Sequence, residues 1–278
     1  MIASREFIVK KLAELITEPK KRYSQNFLTD HFTVSKAVDA LLESECDEVI
    51  EIGPGLGALS EDVLNRNKKL TAFEIDVVMV GHLKEYFKKR SIFEVVEGDF
   101  LKADLSRFKN KKIGVISNLP YNLTTPLIEK VLLEEINLTN FVFMVQKEVS
   151  SRIFAKINTK EYSPLSIMFD YLGNVSTVIK VRKDKFIPAP NVDSVILKLE
   201  VTKPRNFKFE KKFFKFLNSC FAMRRKTLLN NLTSIIGNKE KCVYLLNKFN
   251  ISNTIRPEQV SLEQYLLLCN ELYKNGEE

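Results

Sequence analysis

Apolar positions recur at helical spacing over residues 6–16, at Ile8, Leu12, Leu15 and Ile16, and Pro19 ends this short amphipathic helix. Asp30 caps a second helix through Leu42, whose Phe32, Val34, Val38, Leu41 and Leu42 make a broad apolar face. From residue 49 the period changes. Short β-branched or aromatic runs at 49–52, 70–75, 93–98, 112–117 and 140–146 alternate with helical patterns at 56–66, 77–89 and 124–135. This alternation predicts a mostly parallel sheet covered on both faces, with right-handed crossovers. Helices follow at 147–156 and 164–172, then strands at 175–181 and 194–200. The loop between those two strands holds Pro188 and Pro190 and is too short for a crossover helix, so they are expected as antiparallel neighbours. After Glu200 the strand period stops. VTKPRN reads as a hinge, and helical patterns fill 209–221, 224–236, 239–248 and 261–273. The expected organisation is a seven-stranded α/β domain over 1–202 and a small all-helical domain over 203–278.

With 278 residues, 45% hydrophobic and 28% charged, the chain has ordinary globular composition and needs no metal or disulfide to close a core. Two histidines and four cysteines without CxxC or HExxH spacing give no basis for a metal site or a charge-relay triad. The longest apolar runs are far below membrane-spanning length, and the N-terminus lacks a signal peptide's apolar core, so the expectation is a cytoplasmic protein with no membrane partner. Charge changes the picture more. Residues 1–200 hold 29 Lys or Arg against 28 Asp or Glu, whereas 201–278 hold 14 against 7. Nine bases and one acid between Lys203 and Lys226 could form a phosphate-facing surface or merely a solvated lysine-rich face.

The run VIEIGPGLGALS sets Gly53, Gly55 and Gly57 between a strand and a helix, where backbone amides can face a ligand. Its GxGxG spacing departs from the dinucleotide fingerprint GxGxxG, where Ala58 stands in place of the last glycine; nicotinamide binding is weakened but stays open, as does simple tight packing. Glu74 ends the second strand, 21 residues after Gly53, where an acid can accept from both ribose hydroxyls; Asp99 ends the third. These residues should converge on one crevice beyond the strand ends. The fourth strand runs into Ser117-Asn118-Leu119-Pro120-Tyr121. Pro120 stiffens this turn, so Asn118 and a backbone carbonyl can accept both N–H bonds of an amino group on a flat ring while Tyr121 stacks on that ring.

SQNFL, EIGPGLG, the Glu74 and Asp99 positions, NLPYN and FIPAPNVDS occur in an order and spacing that resemble the bacterial small-subunit ribosomal RNA adenine dimethyltransferases, the family tied to kasugamycin sensitivity. The resemblance runs from SQNFLTD to the C-terminal helices. It implies a Rossmann-like methyltransferase domain in which Asn26, Leu28, Gly53, Glu74, Asp99 and Asn118 contact S-adenosylmethionine, with Gly55 in the same turn, and in which Tyr121 and Phe186 sandwich the target adenine. The implied reaction adds two methyl groups to N6 of each of two neighbouring adenosines near the 3′ end of 16S rRNA in the immature small subunit, carried out by a monomer.

Phe186 lies between the phosphate-seeking charges of Lys183 and Lys185 on one side and the Pro188 to Pro190 loop on the other, and Arg224, Arg225 and Lys226 are expected to open a helix as an rRNA anchor. Lys20, Lys21 and Arg22 are expected to guide the N-terminal segment over the cofactor and the entering strand. A large-subunit rRNA adenine methyltransferase of the antibiotic-resistance type shares the cofactor residues and the reaction; NLPYN, VDS and the RRKTL segment favour the small subunit. A related organellar transcription factor is a more distant alternative. An NAD-dependent oxidoreductase leaves NLPY and the basic domain without a purpose, and a noncatalytic RNA-binding scaffold leaves the crevice without one.

Overall fold

The computed structural model describes residues 1–273 and, at Lys21, the backbone alone, so the expectation for the Lys21 side chain lies outside what is described. The chain forms two compact units. Met1–Ser150 and Asn174–Thr202 make the first; Ser151–Gly173 and the chain from Lys203 make the second.

In the first unit α1 (Arg5–Glu14), β1 (Phe27–Leu28) and α2 (His31–Leu42) precede the α/β alternation of β2 (Glu48–Ile52), α3 (Ala58–Asn65), β3 (Leu70–Glu74), α4 (Val77–Tyr86), β4 (Phe93–Glu97), β5 (Lys112–Asn118), α5 (Thr124–Leu133) and β6 (Asn137–Gln146). After α6 (Lys147–Ile153) and α7 (Pro164–Leu172) come β7 (Gly173–Val181), β8 (Phe186–Ile187) and β9 (Ser194–Val201). Seven strands form one sheet in the order β4-β3-β2-β5-β6-β9-β7. The neighbours from β4 through β6 are parallel, and β9 runs antiparallel to β6. The strands expected at 175–181 and 194–200 are adjacent in this sheet. All five residues of β2 are buried, and Val34, Val38 and Leu41 of α2 are buried with them. Each of the apolar ones, Val49, Ile50 and Ile52 with Val34, Val38 and Leu41, contributes about 1.5–3 kcal/mol by leaving water. Asp30 caps α2 through the Thr33 amide at 3.0 Å.

The sheet order reverses direction between β2 and β5, which opens a crevice at their C-terminal ends. Over it lies a ribbon absent from the sequence reading: β1 pairs antiparallel with β8, Phe27 against Ile187 and Leu28 against Phe186. The Thr29 amide and hydroxyl both donate to the Lys185 carbonyl, at 2.8 and 2.9 Å, and extend it. Residues 20–28 thereby form a strap held at the edge of the crevice.

The second unit contains α7, α8 (Phe207–Cys220), α9 (Leu228–Ile236), α10 (Lys239–Lys248) and α11 (Leu262–Tyr273). Two expectations are corrected here. The division at 202 assigned 151–173 to the first domain, but this segment packs with the C-terminal helices. Tyr171 lies against Phe209 and Phe213, Tyr162 against Phe221, and the Asn158 amide donates to the Glu258 carbonyl. Arg224, Arg225 and Lys226 do not open a helix; they occupy the turn before α9, which starts at Leu228 behind the Thr227 cap. Asn231 fixes that turn, its Oδ1 accepting from the Met223 amide at 2.9 Å and its Nδ2 donating to the Met223 and Thr227 carbonyls.

Candidate active site

The crevice is a cleft lined by strap residues Tyr23 to Leu28, the turn after β2, the end of β3 and Asn118 to Tyr121. Gly53, Gly55 and Gly57 all have positive φ, at 66°, 56° and 93°. A Cβ on Gly57 would stand 2.9 Å from Leu83 and Phe87, and one on Gly55 would stand 3.0 Å from the Phe27 ring. The GxGxG spacing therefore serves close packing against α4 and the strap as well as the left-handed turn. The mainly apolar chemistry at these positions leaves the turn's amides, not side chains, beside the cleft.

Glu74 closes β3 with its carboxylate at this turn, only 5% exposed. One oxygen accepts from the Gly55 amide at 2.9 Å and the other from the Asp76 amide at 2.8 Å. Burial raises its pKa, and those two bonds oppose the rise. Asp76 was not singled out from the sequence, although it lies two residues beyond Glu74. Its nearly inaccessible carboxylate caps α4 at the Val78 amide and takes bonds from Lys20 Nζ at 2.7 Å and Gln25 Nε2 at 2.9 Å. Burial alone would raise the Asp76 pKa; the bonds from Lys20 and Gln25 outweigh it and hold the group below its ordinary value. Lys20 is thus an internal tether of the strap, which corrects its assignment to RNA.

Asn118 ends β5, and its Nδ2 donates to the Asn26 carbonyl at 2.9 Å. The amide is therefore oriented by the strap, which leaves Oδ1 as its acceptor end. Leu119 and Pro120 continue the lining, and the Tyr121 hydroxyl meets Ser194 Oγ at 2.8 Å. Burial pushes the Tyr121 phenol up from its ordinary pKa. Asn26, Leu28, Gly53, Gly55, Glu74, Asn118, Leu119 and Tyr121 are thus brought together in one cleft. Asp99 is not among its lining residues; it caps the turn after β4, accepting from the Leu101 amide at 3.0 Å. Phe186 departs further from expectation. It is 1% exposed and belongs to the core with Leu28 and Val181, because its strand pairing turns the ring inward, so in this structure it offers no face to a base.

The remaining basic residues divide. Arg22 is exposed with its guanidinium 4.6 Å from the Tyr23 ring centroid, and Lys183 is exposed. Lys185 pairs with Asp30 at 2.7 Å. In the second unit Arg224 donates to the Lys160 and Tyr162 carbonyls, which makes it a brace for segment 151–173; Arg225 and Lys226 are exposed.

Glu51 is a further cleft residue that the sequence reading passed over. It is an acid between Ile50 and Ile52 in a fully buried strand, and unlike Glu48 at the strand's start it has no lysine partner among the described contacts; that oddity was its signal. Its only close partner described is Ser60 Oγ at 2.5 Å. Burial first, then the nearby Glu74 charge, push its pKa up to about 8. Between the ordinary carboxylate pKa and about 8 the folded apoprotein therefore holds a proton that the unfolded chain releases. Stability should fall as pH rises through this window, by up to one proton's worth of slope. In Glu51→Gln that contribution should vanish. Denaturant titrations of both proteins at pH 5, 6, 7 and 8 check this; equal slopes would mean that Glu51 is ionised when buried.

Solved structures place this arrangement among the methyltransferases. A dimethyladenosine transferase from Plasmodium falciparum superposes with a TM-score of 0.73 at 26% identity, over 90% of this chain and 98% of that one. The 23S rRNA methyltransferase ErmE shares the fold with a TM-score of 0.63 at 24% identity, over 88% of this chain and 98% of its own. The chain belongs to the ribosomal RNA adenine dimethylase family, which it matches over residues 16–274. Among similar curated proteins are the ribosomal RNA small subunit methyltransferase A of Mycoplasma capricolum, 39% identical over 91% of this chain and 97% of its own length, and that of Lactococcus lactis, 41% identical over 91% and 90%.

Proposed function

We propose that this protein uses S-adenosylmethionine to dimethylate N6 of two neighbouring adenosines near the 3′ end of 16S rRNA, acting as a cytoplasmic monomer on the immature small subunit. The observation that carries the reading is the convergence of Glu74, the glycine turn and an oriented Asn118 in one cleft of an rRNA adenine dimethylase. Family membership and the small-subunit relatives favour this over the large-subunit and oxidoreductase alternatives.

The cleft residues fit the cofactor. The Glu74 carboxylate, fixed by two amides, retains lone pairs for a ribose diol, and the open turn at Gly53 has nothing within 4 Å of where a Cβ would stand. Asn26, Leu28, Gly53, Gly55 and Glu74 would hold it. S-adenosylmethionine supplies an electrophilic methyl group on a sulfonium centre. The chain's own work is alignment. An exocyclic adenine amine is a poor nucleophile because its lone pair is spread into the ring. Asn118 Oδ1 and the Leu119 carbonyl, accepting both N–H bonds, turn the amine toward tetrahedral geometry and aim its lone pair, while Tyr121 supports the ring. The proton displaced on methylation passes to solvent, so no resident base is required.

Mass mapping of methylated positions after incubating the protein with immature small subunits and labelled S-adenosylmethionine tests the reading. Label on the paired adenosines supports it; label on small-subunit positions elsewhere, or none with measured cofactor binding while large-subunit RNA is labelled in a parallel incubation, overturns it. Neutralising Arg225 and Lys226 together should weaken RNA binding and flatten its salt dependence by up to about two phosphate equivalents. Cofactor affinity should be spared. A salt slope equal to the parent protein's would mark these two as a solvated face.

A further inference from the structure

The Ser194 side chain has no part in the proposed chemistry, yet it is wholly buried at the start of β9 and its hydroxyl meets that of Tyr121 at 2.8 Å. Its backbone is fixed from both sides. Ser194 pairs with Gln146 across the sheet, and the preceding Asp193 accepts from the Lys147 amide through its carbonyl and from the Lys183 amide through Oδ1, at 3.2 and 2.9 Å. Tyr121, by contrast, sits in the turn between β5 and α5, where Thr124 Oγ1 donates to the Pro120 and Tyr121 carbonyls. That fixes the Tyr121 backbone but not its ring. The far end of the ring is anchored to the sheet through Ser194.

We propose that Ser194 is a positioning residue for Tyr121, and that their hydrogen bond governs how far the reaction runs from mono- to dimethyladenosine. The inference rests on the proposed role of Tyr121 as a stacking face. An unmodified amine offers two N–H bonds, one for Asn118 Oδ1 and one for the Leu119 carbonyl. After one transfer a single N–H remains, and the added methyl crowds the same space. Two acceptors then compete for one donor, so alignment at the second transfer depends more on the plane of the stacked ring. A Tyr121 ring free to tilt penalises the second transfer more than the first. A serine that merely satisfied its own buried hydroxyl would produce no such difference.

Ser194→Ala and Tyr121→Phe each delete this bond, from opposite ends, and Tyr121→Phe keeps the ring should Ser194→Ala fold poorly. Time courses on immature subunits with saturating S-adenosylmethionine, read by mass spectrometry, give separate rate constants for the two transfers. The ratio of second to first should fall about three- to tenfold in either variant, the loss expected for one hydrogen bond, with transient accumulation of monomethyladenosine. The double variant should be no worse than either single one, and calorimetry should give an unchanged affinity for S-adenosylmethionine. An unaltered ratio, a parallel slowing of both transfers, or multiplied effects in the double variant would overturn the proposal. Tyr121→Ala separates it from the reading beneath it. If Tyr121→Ala methylates at the parental rate, the stacking role itself fails; if it is slow while the other two variants keep the parental ratio, only the role of Ser194 falls.

Discussion

Replacing Asn118 with alanine should slow single-turnover methylation about a hundredfold with S-adenosylmethionine already bound, while RNA affinity changes little. One oriented acceptor that strengthens as charge develops is worth about 3 kcal/mol in the transition state, and almost none of that is realised in ground-state binding. The structure adds a second consequence. Because Asn118 Nδ2 donates to the Asn26 carbonyl, the alanine variant also frees the strap at this point. Asn118→Asp distinguishes the two effects: it keeps an acceptor for the amine but sets a carboxylate against the Asn26 carbonyl, so strap placement suffers before alignment does. A parental rate in Asn118→Ala would dismiss amine alignment even if the protein remained a methyltransferase.

Glu74→Ala should weaken S-adenosylmethionine by about 2–4 kcal/mol, a loss of roughly thirty- to a thousandfold in affinity. Two ribose hydroxyls lose a charged acceptor, and the Gly55 and Asp76 amides lose their partner at the same time. The glycine turn and the α4 cap should then both loosen. Glu74→Gln presents one acceptor and one amino end to two amide donors, so its affinity should fall between the parent and the alanine variant. RNA binding should persist in both. Calorimetry on folded variants is the check, and unchanged affinity in Glu74→Ala would remove this residue from the site.

The sheet and its crossovers were legible in the sequence because each element carries its own periodicity. Strands expected at 49–52 and 112–117 lie at Glu48–Ile52 and Lys112–Asn118, and Glu74 and Asn118 fall at the strand ends where chemistry was expected. What escaped the reading involves pairs distant in sequence. The two-residue β1 and β8 are too short to show a period. Nothing local to Lys20 announces that its ammonium reaches Asp76, 56 residues away. Phe186 follows Lys183 and Lys185 and so looks like a surface ring, yet the register of its ribbon buries it. Arg224 was read by its charge, whereas its geometry makes it a donor to two carbonyls of segment 151–173. Segment 151–173 in turn carries helical spacing that fits either unit, and its aromatic contacts and hydrogen bonds to the C-terminal residues assign it.

The ribbon that closes the strap also sets the order in which a binding-competent protein can arise. Thr29 and Lys185 meet although they stand 156 positions apart in the chain, and closing such a loop from an unfolded state costs about 4–5 kcal/mol in entropy alone. Two short strands cannot repay that cost. The intervening sheet must already hold their ends together. During synthesis on the ribosome, the strap can reach Asp76 and Asn118 early, but Phe27 to Thr29 wait without their ribbon partner until the chain has been made past Ile187. A nascent chain stopped at β6 would contain the glycine turn, Glu74 and Asn118 yet lack the β8 partner that secures the strap over them.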